Sequence, residues 1–347
     1  MSHPINDMFT LMFERLHKVM PEAEIRLKAE LAVQINALKK ERHAVILGHN
    51  YMEAALYLSV PDFKGDSLEL SRKAAETDKD IIVFCGVRFM AETAKILNPA
   101  KTVLIPSPKA GCSLAESITA EEVRQLKKMY PGVPVVTYIN TYADVKAESD
   151  ICCTSGNAGR VVASLKDQTV IFLPDQYLAS NVARETGKHI VFPVKSPAGL
   201  RHPDTNLEYA MIGWSGKCEV PEKFTVEDIV NVRRQFPDVV ILAHPECSPE
   251  VTAAADFSGS TGAMIKYVQA TKAPHYLLLT ECSMGDNIAA ENPDKEMLRL
   301  CSVRCPHMNE ITLEDTLKSL QRTQYEVQVP EEIRLRALKA VQRMLEL

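Results

Sequence analysis

Short hydrophobic runs rich in valine, isoleucine and leucine alternate with longer amphipathic stretches along most of the chain. Such runs, bounded by turn residues, are typical of strands buried in a parallel sheet, whereas the amphipathic stretches predict helices. The predicted strands are residues 43–48, 80–85, 133–139, 169–173, 239–243 and 276–280. Helical patterns at 7–41 and 330–347 flank them. The alternation predicts an α/β fold with parallel sheets.

One sequence pattern occurs three times. An apolar residue, a threonine, any residue and two acidic residues occupy positions 118–122, 224–228 and 311–315. Each copy predicts a helix start, because the threonine can cap the helix and the acids favour the positive end of its dipole. Seven residues before each threonine lies a cysteine, namely Cys112, Cys218 and Cys305. The common spacing indicates three copies of one structural unit.

The repeat predicts three α/β/α domains related by pseudo-threefold symmetry, each with a small parallel sheet. The predicted boundaries are N-terminal helices at 1–41, domains at 42–130, 131–236 and 237–325, and a C-terminal helix at 326–347.

Polar side chains follow the first strand of every unit. They are His49, Asn50, Tyr51, Tyr138, Asn140, His244 and Glu246. The carboxyl ends of parallel strands are where α/β sheets bind ligands. Some 15 to 18 residues later come pairs that predict helix N-caps, namely Asp66-Ser67, Thr154-Ser155 and Ser260-Thr261. If these helix starts converge, their N–H groups suit a phosphate or carboxylates.

Composition narrows the classes of function. The chain has 347 residues, a net charge of -5 and a pI near 6.0, so it lacks the basic field that draws proteins to nucleic acid or anionic lipid. No signal peptide and no apolar run long enough to span a membrane are present in the sequence, which predicts a cytoplasmic protein. Nine cysteines, an odd number, do not resemble a secreted disulfide framework and favour metal or cluster ligation.

Cys112, Cys218 and Cys305 are too far apart in sequence for a local zinc or ferredoxin motif. Equivalent positions in three pseudo-symmetric domains can nevertheless meet on a common axis. Thiolates suit zinc or an iron–sulfur cluster, and a cubane with three cysteine ligands leaves one iron free to act as a Lewis acid. The alternative, a small buried hydrophobic residue, suits the remaining cysteines better. Cys301 and Cys305 also permit a regulatory disulfide.

Several strings of the sequence resemble the signatures of the quinolinate synthase family. The resemblance extends in order from about residue 42 to the C-terminus, and the string at 89–97, F-M-A-E-T-A-K-I-L, is highly specific. The other strings are those at 48–51, 65–70, 244–247, 260–262 and 305–308.

The resemblance implies an enzyme of NAD biosynthesis that condenses iminoaspartate with dihydroxyacetone phosphate to quinolinate, releasing phosphate and water. It also implies a [4Fe-4S] cluster on Cys112, Cys218 and Cys305. Glu246 is the implied general acid/base, with His49, Tyr51 and His244 in the same pocket. The implied substrate-binding groups also include Ser67, Tyr138, Asn140, Ser155, Ser260 and Thr261. An aspartate-oxidising enzyme is the expected source of the labile imine.

Two features depart from the family pattern. Pro221 occupies a position after the middle cysteine where the family commonly has histidine. The segment 196–216, which contains Trp214, is longer than in compact members.

Two other functions stay open on the sequence. A diphthamide-forming radical enzyme would also carry one cysteine per domain, but it would cleave S-adenosylmethionine on reduction. A non-enzymatic redox sensor would need no acid/base residues at strand ends, so unchanged turnover after Glu246→Gln would favour it.

Overall fold

A computed structural model describes residues 4–165, 169–196, 199–201, 207–208, 210–299 and 303–347. The chain begins with two helices, α1 (Pro4–Leu16) and α2 (Glu22–Glu41), where the sequence predicted helical segments from residue 7 to 41. The break between them falls at Pro21, because proline can neither donate a backbone hydrogen bond nor continue a preceding helix. None of the helices in these ranges is both long and apolar enough to cross a membrane.

The first unit is a four-stranded parallel sheet with strand order β2-β1-β3-β4. Its predicted first strand begins one residue late, at Ala44, because His43 has a left-handed backbone with φ 49° that no strand accommodates. The elements in order are β1 (Ala44–His49), α3 (Ala54–Ser59), β2 (Phe63–Gly65), α4 (Ser67–Glu76), β3 (Ile81–Cys85), α5 (Arg88–Leu97) and β4 (Thr102–Leu104).

The second unit is a five-stranded parallel sheet with order β6-β5-β7-β11-β8, accompanied by an antiparallel β9-β10 hairpin. Its elements are α6 (Ser113–Glu116), α7 (Ala120–Met129), β5 (Val135–Tyr138), α8 (Ala143–Ala147), β6 (Ile151–Cys153), α9 (Ala158–Ser164), β7 (Val170–Leu173), α10 (Gln176–Thr186), β8 (His189–Val191), β9 (Val194–Ser196), β10 (Gly199–Arg201) and β11 (Ala210–Ile212).

The third unit is again a four-stranded parallel sheet, with order β13-β12-β14-β15. Its elements are α11 (Val226–Gln235), β12 (Val239–Ala243), α12 (Pro249–Ala254), β13 (Phe257–Ser258), α13 (Thr261–Ala270), β14 (His275–Leu279), α14 (Cys282–Glu291) and β15 (Met297–Leu298). Two helices follow, α15 (Leu313–Arg322) and α16 (Glu331–Leu345), the second starting after Pro330 as the sequence predicted.

The three sheets repeat one topology. In each unit the first strand lies between the second and third strands, and the second strand pairs with the first in one register. Leu47 is paired with Phe63, Val136 with Ile151, and Leu242 with Phe257. The predicted α/β fold with three small parallel sheets is therefore confirmed.

An aspartate just before each second strand connects it to the first strand. Its carboxylate accepts a hydrogen bond from the backbone N–H of a residue in the first strand, at 2.8 Å in every unit. The pairs are Asp62 with Ile46, Asp150 with Val135, and Asp256 with Ile241. This repeated contact fixes the register of the two strands.

The helix that follows each cysteine packs against the sheet of the next unit. Val123 of α7 lies in one hydrophobic cluster with Val135 of the second sheet, and Ile229 of α11 lies with Ile241 of the third. Helix α15 packs against α2 and β3 of the first unit, which closes the ring. The predicted domain boundaries stay a prediction, and this packing favours boundaries closer to the cysteines.

Most of the predicted helix caps are confirmed. The side chains of Thr119, Thr225 and Thr312 each accept a hydrogen bond from a backbone N–H of the first turn. Asp66 and Ser260 cap α4 and α13 in the same way.

The prediction of an N-cap at Thr154-Ser155 was wrong, because α9 begins only at Ala158. Asn157 Oδ1 accepts a hydrogen bond from the backbone N–H of Thr154 at 2.7 Å, and Thr154 Oγ1 accepts one from Gly156 at 3.2 Å. These local contacts form a tight turn at the residues that would otherwise start the helix.

Candidate active site

One cavity of about 740 Å³, including the part open to solvent, lies where the three units meet. The carboxyl ends of the first strands β1, β5 and β12 contribute His49, Tyr51, Tyr138, Asn140, His244 and Glu246 to its wall. Ser67, Ser155 and Thr261 line it as well, and so do Cys112, Cys218 and Cys305. These site residues predicted from the sequence thus lie together around this cavity, although their roles stay predictions.

Ser260 is the one predicted site residue that lies outside this cavity. Its hydroxyl accepts a hydrogen bond from the backbone N–H of Ala263 at 3.3 Å, which caps α13. It lines a neighbouring groove between the second and third units, and Ser155 borders both spaces. Its proposed contact with substrate stays a prediction.

The strand ends are equivalent by sheet register, which explains why the cavity is ringed by polar groups. His49, Tyr138 and His244 occupy one equivalent position, and two residues later Tyr51, Asn140 and Glu246 occupy the next. Side chains two residues apart at the end of a strand point to the same side of the sheet. Each unit therefore contributes two polar side chains to the same space.

Both histidines are oriented by the backbone. The N–H of Tyr51 donates to His49 Nδ1 at 3.2 Å, and the N–H of Glu246 donates to His244 Nδ1 at 3.3 Å. Burial lowers the pKa of His49 to about 4, although the charges of Asp66 and Glu246 act in the opposite direction. At neutral pH His49 is therefore an uncharged ring whose proton lies on Nε2.

Glu246 contacts groups from two units. Asn140 donates from Nδ2 to Glu246 Oε1 at 3.2 Å, and Glu246 Oε2 lies 3.3 Å from His244 Nδ1. Burial raises the pKa of Tyr138 well above its ordinary value, and the charge of Glu246 and a hydrogen bond with it add to the effect. The carboxyl group is thus placed where it can exchange a proton with a bound molecule.

Side-chain hydrogen bonds join the first unit to the third around the cavity. The hydroxyl of Tyr51 forms a hydrogen bond with that of Thr280, and Asn50 Nδ2 donates a hydrogen bond to Thr261 Oγ1 at 2.9 Å. Asn287 donates to the carbonyl oxygens of Asn50 and Met52 at 3.0 and 2.9 Å. These contacts fix the loop after β1, which carries the predicted site residue Tyr51.

Sequence reasoning missed two buried acids, Asp175 and Glu281, each two residues after the third strand of its unit. Asp175 Oδ1 accepts a hydrogen bond from Leu178 N–H at 2.6 Å, and its neighbour Gln176 donates to Gly216 O at 2.7 Å. Burial, followed by the charge of Glu246, raises the pKa of Asp175 well above its ordinary value. These contacts hold the segment that leads to Cys218.

Glu281 has the corresponding position in the third unit, whereas the first unit has Val87 there. Its carboxylate accepts from Ser283 N–H at 2.7 Å and from Cys305 N–H at 3.4 Å. Burial raises the pKa of Glu281 to about 7 against the effect of these hydrogen bonds. The shared offset from the strand end was the signal that could have identified both acids.

The three cysteines are free thiols, each half-buried at the wall of the cavity. Burial raises the pKa of Cys112 to about 12, that of Cys305 to about 11 and that of Cys218 well above its ordinary value. The charge of Cys305 raises the pKa of Cys112 further, and the charges of Cys112 and Cys305 raise that of Cys218 further. A metal that binds here must displace protons, so metal binding and deprotonation are linked.

Three half-buried thiols around one cavity are a donor set that suits zinc or an iron–sulfur cluster. Among the described residues, no group of three or more His, Cys, Asp or Glu side chains is arranged to hold a single metal ion. Cys301, the partner of Cys305 in the proposed disulfide, lies outside the described residues.

Fold and site together define an α/β protein of three pseudo-symmetric units around a cysteine-lined cavity. Residues 33–346 match the family described as "Quinolinate synthetase A protein". Quinolinate synthase 2 of Mesorhizobium japonicum is 50% identical over 334 residues, which cover 96% of either chain. The quinolinate synthase of Agrobacterium fabrum is 50% identical over 336 residues, 97% of this chain and 91% of its own. That of Xylella fastidiosa (strain 9a5c) is 52% identical over 308 residues, 89% and 84% of the two chains.

The chain therefore belongs to the quinolinate synthetase A family, a family of enzymes. The resemblance found in the sequence is confirmed. Neither the diphthamide-type enzyme nor the redox sensor is favoured by these matches.

Proposed function

We propose that this enzyme condenses iminoaspartate with dihydroxyacetone phosphate to form quinolinate, with loss of phosphate and water, in the biosynthesis of NAD. The observation that carries the proposal is the convergence of three cysteines and six polar strand-end side chains on one cavity. Such a cavity can combine a metal cluster with acid/base groups. The relatives named quinolinate synthase support the same reaction.

Cys112, Cys218 and Cys305 would hold a [4Fe-4S] cluster, one thiolate from each of the three cysteine loops. Bound by only three cysteines, such a cluster would supply a Lewis-acidic iron for dehydration chemistry.

The two histidines are suited to orient substrate oxygens. Because each Nδ1 faces a backbone N–H, a neutral ring keeps its proton on Nε2 and donates it outward. The low pKa of His49 keeps this form at neutral pH, so the ring can polarise a carbonyl without introducing a charge.

Glu246 is the group we assign to proton transfer. The condensation requires protons to move during enamine formation and during the aldose/ketose step, and a carboxyl group at the cavity wall can accept and return them. Asn140 donates a hydrogen bond to one of its oxygens, and the other oxygen lies 3.3 Å from His244 Nδ1. Loss of the carboxyl group should therefore reduce turnover far more than it reduces binding.

The substrates carry one phosphate and two carboxylates, yet none of the described residues that line the cavity is lysine or arginine. Anion binding must then rest on neutral donors. Ser67 and Thr261, which both carry a hydroxyl group, are the first residues of α4 and α13. Helix N-termini attract anions. Ser155 adds a hydroxyl from the second unit.

We also expect the enzyme to work in the cytoplasm and close to an aspartate-oxidising enzyme. Iminoaspartate hydrolyses in water, so a short path from its source would limit the loss.

The test measures iron and sulfide content and quinolinate formation under anaerobic conditions. Wild type should hold about four irons per chain, and Cys112→Ala, Cys218→Ala and Cys305→Ala should each lose cluster and activity. Cys152→Ala, which removes a buried thiol from strand β6, is the matched control and should keep both. Glu246→Gln should keep the cluster and lose about 100-fold or more in kcat.

Retention of cluster and activity in any of the three ligand variants would refute the ligand assignment. Reductive cleavage of S-adenosylmethionine by the wild type would instead favour the radical-enzyme alternative.

A further inference from the structure

Each cysteine loop carries a polar residue beside its cysteine. Ser113 directly follows Cys112, Glu219 directly follows Cys218, and His307 lies two residues after Cys305. All three line the central cavity.

One carboxylate oxygen joins these loops. Ser113 Oγ donates to Glu219 Oε1 at 2.9 Å, and His307 Nε2 lies 3.3 Å from the same Oε1 atom. Ser113 and His307 belong to the loops of the other two cysteines, so Glu219 contacts both neighbours across the pseudo-threefold axis.

Two other contacts of these loops act differently. The segment before Cys218 is held by the turn at Asp175, and Cys305 is held by Glu281 of the same unit. They fix each loop to its own unit. Glu219, by contrast, fixes the loops to one another.

The position of Glu219 places this contact at the mouth of the cavity. Its side chain is 39% exposed and that of His307 is 26% exposed, whereas His49, Tyr138, His244 and Glu246 at the strand ends are buried. Loss of a cluster requires its ligand loops to move apart, and a shared acceptor at the mouth opposes that movement.

We propose that Glu219 is a positioning residue that keeps the three cysteine loops together and thereby slows the loss of the cluster. The inference rests on the proposed function, because it assumes that the three cysteines hold a cluster. It assigns a role to a residue that is neither a proposed cluster ligand nor a proposed acid/base group.

The test compares Glu219→Ala and Glu219→Gln with the control Glu222→Ala. Glu222 lies three residues further along, is 43% exposed and pairs with Lys217 at 2.8 Å, so its loss removes a similar charge from the same loop. The measurement is the rate at which the cluster absorbance disappears when an iron chelator is added without oxygen.

We expect Glu219→Ala to lose its cluster about five- to tenfold faster than wild type, as the loss of the hydrogen bond from Ser113 and of the contact with His307 predicts. Glu219→Gln should stay within about twofold of wild type, because its amide oxygen can accept from both partners. The double variant with Ser113→Ala and Glu219→Ala should lose its cluster at about the same rate as Glu219→Ala alone. The contact that Ser113→Ala would remove is already absent in Glu219→Ala.

Equal rates for Glu219→Ala and Glu222→Ala would overturn the inference while leaving the proposed function intact. A wild-type protein that binds no cluster would overturn both. Thermal unfolding of the cluster-free proteins separates loop positioning from general destabilisation, and a large drop in Tm for Glu219→Ala would also count against the inference.

Discussion

At the residue scale, burial decides which protonation states the cavity offers. Burial lowers the pKa of His49 and raises that of Tyr51 and Tyr138, so all three are neutral at pH 7. Their positions could be predicted from the sequence as strand ends. Their protonation could not, because the desolvation that shifts a pKa depends on atoms from other units.

His49→Gln should make stability less sensitive to acid. The unfolded chain binds a proton at His49 near pH 6.5, whereas the folded chain binds it only near pH 4. Between these values the unfolded state binds more protons, so wild-type stability falls as the pH decreases from about 6.5 to 4. Urea unfolding of the cluster-free protein should show a loss about 3 kcal/mol larger for wild type than for the variant between pH 7.5 and 4.

His43→Gln is the control, because His43 precedes the same strand and its side chain is 49% exposed. An identical pH dependence of His49→Gln and wild type would show that His49 is not held neutral by burial.

At the element scale, the sequence predicted what local chemistry determines. A threonine with acidic residues two and three positions later can cap a helix wherever it occurs, and the three predicted caps are present. The predicted cap at Thr154-Ser155 was wrong for a local reason too, because the Asn157 side chain forms a turn there instead.

The aspartates at 62, 150 and 256 were overlooked, although they lie at one fixed distance before the hydroxyl residues Ser67, Ser155 and Thr261.

Asp150→Ala should destabilise the protein by about 1–3 kcal/mol, because the backbone N–H of Val135 in a central strand would lose its acceptor. Asp150→Asn keeps an oxygen in the same place and should cost clearly less. Chemical denaturation of the three proteins at pH 7 measures the difference. Equal stability of Asp150→Ala and wild type would mean that the contact does not hold the strand register.

At the scale of the whole molecule, the units are joined by helices that pack against more than one unit. Helix α16 packs against α8 and β6 of the second unit and against α5 of the first. Glu148, at the end of α8, binds Arg124 of α7 at 2.8 Å and Arg336 of α16 at 2.7 Å. Burial alone would raise the pKa of Glu148, but the hydrogen bonds from the two arginines outweigh it and lower the pKa.

Glu148→Gln should cost about 1–2 kcal/mol of unfolding free energy at pH 7. Because its folded pKa is lowered, the wild-type advantage is present above the unfolded pKa near 4.5 and is lost as the pH falls through the folded value. The cost should therefore shrink below about pH 4.5. Urea unfolding at pH 7 and at pH 4 measures it.

Glu121→Gln is the matched control, since Glu121 pairs with the same Arg124 but is 57% exposed. Its cost should be clearly smaller, because solvent screens an exposed ion pair. A cost for Glu148→Gln no larger than this would contradict the proposed bridging role.

The sequence by itself determined the central strands, the threefold repetition and the positions of the cysteines and polar strand ends. These follow from hydrophobic periodicity, caps and spacing, which are properties of neighbouring residues. The tertiary structure decided that each helix after a cysteine packs on the next unit, that Asp175 and Glu281 are buried beside the cysteine loops, and that Glu219 meets Ser113 and His307. Such contacts join residues about 100 positions apart, and their distances depend on how three separate cores pack together.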